Sequence, residues 1–207
     1  MQAKEDVKTI KVNESYNFNN HLVANFALLA TSFLFYLFSA PSFNLFCVVY
    51  VAFGFYLSAF LFYKLHRHPL HNPTGKNDDL YHLYTNVHHR FFAENSLTIN
   101  KNEQYQFVLM PTYVIILLVF LIYPLALHLV EFVFWKSIAC WMLIGAQWMF
   151  IQYELCHLAS HSEDSFFSGF RHVNRMALDH RKHHNNNRFN FGIATDFFDR
   201  YYNTKSK

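Results

Sequence analysis

The sequence predicts an all-α fold: an integral membrane four-helix bundle with a cytosolic helical cap. Three observations carry that prediction: long uncharged apolar runs, basic residues confined to alternate segments, and histidines gathered in those same segments. Aromatic residues make up 20% of the chain and charged residues 15%, whereas a soluble domain carries about 25% charged residues. Mean hydropathy is nonetheless only +0.04, so the apolar residues stand in blocks. At 207 residues the chain suits one domain of ordinary size. A net charge of +3 gives no reason to expect nucleic acid as a partner.

Four apolar stretches are long enough to cross a bilayer, which takes about 20 helical residues. The first covers about 22–40 and stops before Pro41; the second covers about 44–63. So few residues separate them that they should form a tight hairpin. The third, about 107–130, contains Pro111 and Pro124, either of which can kink a helix. The fourth, about 132–156, has Lys136 near its start, where the side chain can snorkel outward, and Gln147, Gln152 and Glu154 toward its end. Residues 1–20 are polar, with Glu5, Asp6 and Glu14, and do not read as a signal peptide. The expected organisation is therefore a polar cytosolic segment, 1–20, followed by a membrane domain, 21–207, with cap segments 64–106 and 157–207. Cys47, Cys140 and Cys156 have no paired spacing and read as buried thiols.

Every Lys and Arg except Lys136 lies in 1–20, 64–106 or 157–207. By the positive-inside rule these three segments share the cytosolic side, and an even number of spans puts both termini there. Twelve of the 14 histidines, all but His21 and His128, fall in the two large segments of that set. His66, His68 and His71 follow the second stretch, and His157 and His161 follow the fourth; both stretches run toward the same face. His82, His88 and His89 occupy the first cap segment, and His172, His180, His183 and His184 the second.

The spacing suits metal binding. Residues four apart on a helix point the same way, so His157 and His161 can bind one ion. His180, His183 and His184 share one turn, and the adjacent pair can reach two different ions. His66 and His71 are five apart, so they need a bend, which Pro69 can provide. Imidazole suits zinc, copper, iron and nickel alike, so ligand type alone does not choose the metal. Glu154 and Asp179 either orient an imidazole N–H or are simply solvated. His68 and His172 read as outer or surface residues. Arg171, Arg175, Arg181, Lys182 and Arg188 either meet anionic headgroups or an acidic redox partner, or reflect the ordinary bias of the cytosolic face.

The boxes His66-Arg-His-Pro-Leu-His71, Leu80-Tyr leading to His88-His89, Tyr153-Glu-Leu-Cys-His157-Leu-Ala-Ser-His161 and His180-Arg-Lys-His183-His184 resemble the fatty acid hydroxylase superfamily. The likeness runs from Tyr63 to Thr204. The first box and Phe191-Gly-Ile-Ala-Thr195 are most like fatty acid 2-hydroxylases, and Asn190-Phe-Gly192 with the stretch Asp199 to Tyr202 is similar to the family's closing segment. The resemblance implies two iron ions, dioxygen as co-substrate, and insertion of one oxygen atom into a C–H bond of a membrane lipid, fatty acyl or sphingolipid. Carried over, the ligands are His66, His71, His88, His89, His157, His161, His180, His183 and His184, with no catalytic or cofactor-binding residue beyond them.

One departure is clear: the family has a histidine three residues before the His88-His89 pair, and this chain has Thr85. On an α-helical stripe His82 lies near Thr85 and His89 and is the expected substitute; water or His68 is the alternative. Zinc is expected to enter the same imidazole site readily on purification. No haem-binding or nucleotide fingerprint is evident, so electrons come from a separate donor, of cytochrome b5 or ferredoxin type. The resemblance places the chain in the endoplasmic reticulum membrane of a eukaryote or the inner membrane of a bacterium. A lipid or sterol desaturase or oxidase with the same centre is the alternative. A histidine-rich metal transporter is the alternative of another class, although transporters place their ligands near the bilayer midplane.

Overall fold

The computed structural model describes residues 12–40, 42–72, 81–94, 97–133, 135–162 and 169–206. Residues 1–11, Pro41 and Leu80 of the second box lie outside the described residues. Every described element is helical: α1 (Phe18–Ser39), α2 (Leu45–Arg67), a π-helix (His82–His89), α3 (Arg90–Glu94), a 3-10 helix (Asn102–Phe107), α4 (Thr112–Leu117), a π-turn (Leu118–Ile122), α5 (Tyr123–Val133), α6 (Lys136–His161), α7 (Arg171–Asn185) and α8 (Phe197–Tyr201). The all-α prediction holds.

Among the described residues, three runs are long and apolar enough to cross a membrane: Phe18–Ser39, Leu45–Arg67 and Asn102–Phe132. The expected fourth stretch is different in kind. It is a helix of 26 residues, about 39 Å at 1.5 Å per residue, but Gln147, Gln152 and Glu154 dilute its apolar character, and it is not among the three. Pro111 does not kink a helix but immediately precedes one, at the N-cap of α4. Ahead of Pro124, which has no N–H for the helical ladder, the chain widens into the π-turn.

The chain divides into two compact units. The apolar unit comprises Asn19–Leu61 and Met110–Glu154. In it α1 buries Asn25, Leu29, Ser32 and Tyr36, a stripe at helical spacing, while Phe35 and Phe38 face outward, Phe38 83% exposed. So much outward apolar surface is what hydrocarbon solvates and water does not. By contrast α6 buries Ala139, Cys140, Leu143, Ile144 and Gln147, and a helix surrounded by protein tolerates polar residues that a lipid-facing one would not. The backbones of α2 and α6 approach closely at two glycines. A Cβ on Gly54 would lie 1.9 Å from the Met142 carbonyl oxygen, and one on Gly145 would lie 2.0 Å from that of Val51. The three cysteines are buried free thiols, as expected.

The histidine unit comprises Met1–Phe18, Phe62–Leu109 and Leu155–Lys207, so the last turns of α2 and α6 belong to it. α7 is polar in composition yet buries Val173, Met176, Ala177, His180, His183 and His184 along one side. That stripe turns three imidazoles inward while Arg171, Arg175 and Lys182 stay outside. Arg181 behaves differently from its neighbours. Its guanidinium donates to the carbonyls of Ser160 (2.7 Å), Ser162 (3.0 Å) and Ala159 (3.4 Å), satisfying acceptors left open at the C-terminal end of α6.

The C-terminal residues close the unit. The Asp199 carboxylate accepts from the backbone N–H groups of Phe191 (2.9 Å) and Gly192 (2.7 Å) and from the Thr204 hydroxyl (2.8 Å). Asn190 and Asn203 adopt left-handed backbone (φ 56° and 55°), a conformation asparagine tolerates better than most residues. The Asn190 N–H donates to the Thr204 carbonyl, and Thr204 Oγ1 lies 2.9 Å from the Tyr63 hydroxyl. Residues 190–192 are thereby pinned beside the last turns of α2.

Candidate metal centre

Two groups of imidazoles are drawn together in the histidine unit. His66, His71, His89 and His183 form the first, and His88, His161, His180 and His184 the second; within each, the candidate ligand atoms lie within 4.8 Å of one another. All eight are buried except His71, which is half-buried. His157 flanks the second group, with its Nε2 3.3 Å from that of His88. Each adjacent pair splits: His88 and His184 serve one group, His89 and His183 the other. The 66/71 pair meets through the expected bend. α2 ends at Arg67, the chain turns through Pro69, and the His66 and His71 rings come to 5.0 Å.

Backbone carbonyls set the ring orientations. His66 Nδ1 donates to Phe191 (2.5 Å), His88 Nδ1 to Phe107 (2.8 Å), His161 Nδ1 to Leu97 (2.9 Å) and His183 Nδ1 to Phe189 (2.6 Å). A carbonyl only accepts, so Nδ1 carries the proton and Nε2 is left with a bare lone pair, the arrangement metal-ligating histidines adopt. The Nε2 atoms of His66, His89 and His161 are buried without a hydrogen-bond partner, a costly condition in a metal-free interior. Other Nε2 pairs stand 2.9 Å (His71–His183), 3.1 Å (His88–His184) and 3.1 Å (His180–His184) apart. Nitrogen ligands about 2.1 Å from a shared ion lie about 2.9–3.4 Å apart across octahedral to tetrahedral angles. The donor set therefore fits one ion in each group.

The electrostatics agree. Burial pushes the imidazoles of His71 and His88 down to about 4 and that of His183 down to about 3. Burial first, then the proximity of neighbouring histidines, holds His89, His180 and His184 well below the ordinary range. At neutral pH these rings are uncharged and able to coordinate.

Nine of the ten predicted ligands thus converge. The tenth, His82, is exposed and lies in neither group. The reason is the winding of His82–His89: an i→i+5 helix turns residue 82 away from the stripe that α-helical spacing would give it. His68 is likewise exposed. Thr85 Oγ1 donates to the Leu70 carbonyl at 2.5 Å and lies 3.5 Å from His71 Nδ1. His172 donates to the Ala194 carbonyl, Asp179 pairs with Lys205, and Glu154 accepts from the Met110 N–H at 3.3 Å. The carbonyls of Leu97, Phe107, Phe189 and Phe191 carry no side-chain signature, so spacing could not reveal their roles; the Phe191-to-Thr195 likeness was the one hint.

Comparison with known proteins agrees with this geometry. Curated proteins give no match. A solved structure described as "Full length scs7p (only hydroxylase domain visible)" is 19% identical with a TM-score of 0.63, the match covering 92% of this chain and 67% of that one; at that identity the likeness is one of fold. A family model, fatty acid hydroxylase, matches residues 51–204, a stretch that holds both imidazole groups whole. The chain belongs to the fatty acid hydroxylase family.

Proposed function

We propose that this chain is a dioxygen-dependent membrane lipid hydroxylase working through a histidine-held pair of iron ions. One observation carries the reading: two abutting groups of imidazoles, all but His71 buried, with the rings of His66, His88, His161 and His183 held by backbone carbonyls so that their Nε2 lone pairs are free to coordinate. His66, His71, His89 and His183 would hold one ion; His88, His157, His161, His180 and His184 would hold the other. Bound there, iron would supply the activation of dioxygen needed to attack an unactivated C–H bond. The residues' own contribution is to fix lone pairs, keep the rings neutral and exclude water. His82 has no part in the proposed set.

The membrane-length helices and their outward apolar side chains support a lipid substrate. So does a groove of about 690 Å³ in the apolar unit, lined by Ala24, Thr31, Phe35, Val119 and Phe120 among others, which suits a hydrocarbon chain. The basic-residue distribution supports a cytosolic histidine unit, α6 as a fourth span, and a separate electron donor meeting the centre from the cytosol. The test is mass analysis of lipids from cells expressing wild type or His183→Ala. Wild type should raise a hydroxylated lipid that the variant does not. Equal hydroxylipid levels would refute the hydroxylase reading, and a new double bond in place of a hydroxyl would point to the desaturase outcome.

A further inference from the structure

The two imidazole groups are unequal. The second has four members and His157 beside it, with His157 Nε2 3.3 Å from His88 Nε2, whereas the first has four and no fifth imidazole. The residue that stands against the first group is Tyr84. Its ring centroid lies 5.0 Å from that of His66, 5.5 Å from His71 and 5.1 Å from His89, three of the four members, and it stacks on His88 at 4.9 Å and 27°. The residue is half-buried, yet its hydroxyl oxygen is enclosed. The ring thus packs among the imidazoles, and its hydroxyl is shielded from solvent.

The π-helix explains the placement. With i→i+5 winding, Tyr84 falls on the turn below His88 and His89 and shares their inward side. Thr85 is rotated so that its hydroxyl donates to the Leu70 carbonyl, which commits its one proton. Of the two hydroxyl residues, Tyr84 is the one whose ring lies against three members of the group that is one donor short.

Resting on the reading of the centre as di-iron, we propose that Tyr84 is the fifth ligand of the ion held by His66, His71, His89 and His183. On binding ferric iron its hydroxyl releases a proton to solvent and the phenolate oxygen forms the new iron–oxygen bond. Phenolate is an established ligand of protein-bound iron, and an oxygen donor would set the two ions apart chemically, one in an all-imidazole set and one not.

The test needs no turnover. Iron-loaded protein in detergent is oxidised with ferricyanide, and its visible absorption and resonance Raman spectra are recorded beside its iron content. Wild type should show a phenolate-to-iron charge-transfer band carrying tyrosinate ring vibrations. Tyr84→Phe should lose that band while retaining iron. Tyr84→His, which supplies a nitrogen donor should the phenylalanine variant fail to fold, should bind iron and lack the band. Tyr81→Phe should keep it. Iron-loaded wild type without the band, or a band that survives in Tyr84→Phe, would overturn the assignment of Tyr84 and leave the di-iron reading standing. Wild type that takes up no iron would overturn both.

Discussion

Replacing Asp199 by asparagine tests how far the C-terminal closure governs the metal site. The carboxylate takes three hydrogen bonds, from the Phe191 and Gly192 N–H groups and the Thr204 hydroxyl. An amide of the same shape has one oxygen, so in either orientation at least one donor loses its acceptor and faces an NH₂ group. A hydrogen bond to a charged group contributes about 1.5–3 kcal/mol, and leaving a buried donor unmade costs about 1–3 kcal/mol; the two overlap, giving about 2–4 kcal/mol. Burial pushes the Asp199 carboxyl above its usual range in spite of those donors, so the neutral amide recovers part of the loss. The net expectation is about 1–3 kcal/mol, or about 2–4 °C of unfolding midpoint for each kcal/mol in a chain of this size.

The consequence reaches the metal because Phe191, whose N–H Asp199 holds, turns its carbonyl to His66 Nδ1 at 2.5 Å. Loss of such an outer partner lowers metal affinity about 10–100-fold. The assay is thermal unfolding in detergent together with metal release to a competing chelator. Asp199→Asn should unfold earlier and release one ion sooner, the other being held as in wild type. An unchanged midpoint with both ions retained equally would refute the chain of contacts from Asp199 to His66.

Two further outcomes follow from the packing and the charges. Gly54→Ala places a Cβ 1.9 Å from the Met142 carbonyl oxygen, so α2 and α6 must separate. A destabilisation of about 1–3 kcal/mol or more is expected, read as a lower thermal midpoint, whereas Gly169→Ala, with open space around its Cβ, should be silent. Burial alone would raise the Asp196 carboxyl, but Arg200, Lys205 and Arg175 outweigh it and hold the group below its usual value of 3.8. A depressed carboxylate contributes stability that is present above the unfolded value and lost as pH falls through the folded one. Between neutral pH and pH 4 the Asp196→Asn midpoint should therefore run at a constant offset below wild type, and below pH 4 the two should converge; a gap that widens on acidification would reverse the sign.

Much of the centre was legible because histidines are chemically rare and their spacing is mechanical. The i,i+4 pair on α7, His180 with His184, reaches one group and His183 the other, as the turn requires. His82 stays outside both groups for a local reason. The stripe through 82, 85 and 89 exists only with α-helical winding, and this stretch is π-helical. The fourth apolar stretch stands apart from the other three because a helix packed among others needs less hydrophobicity than a lipid-facing one, and α6 buries Gln147 completely. Arg181 read as one more surface cation, yet it is turned inward to cap α6; nothing in its neighbours' spacing separates it from Lys182, which stays outside. Tyr84 was hidden behind the missing histidine at 85, since the sequence does not announce a change of helical winding.

The most direct test of the whole account is the metal-to-protein ratio of protein purified from iron-supplemented cells. It is measured for wild type, His66→Ala and His180→Ala under a fixed chelator challenge. Two imidazole groups that each hold an ion predict two ions per chain in wild type and one in each variant, the variants losing different ions. A ratio of one or none in wild type, or variants that both keep two, would contradict it.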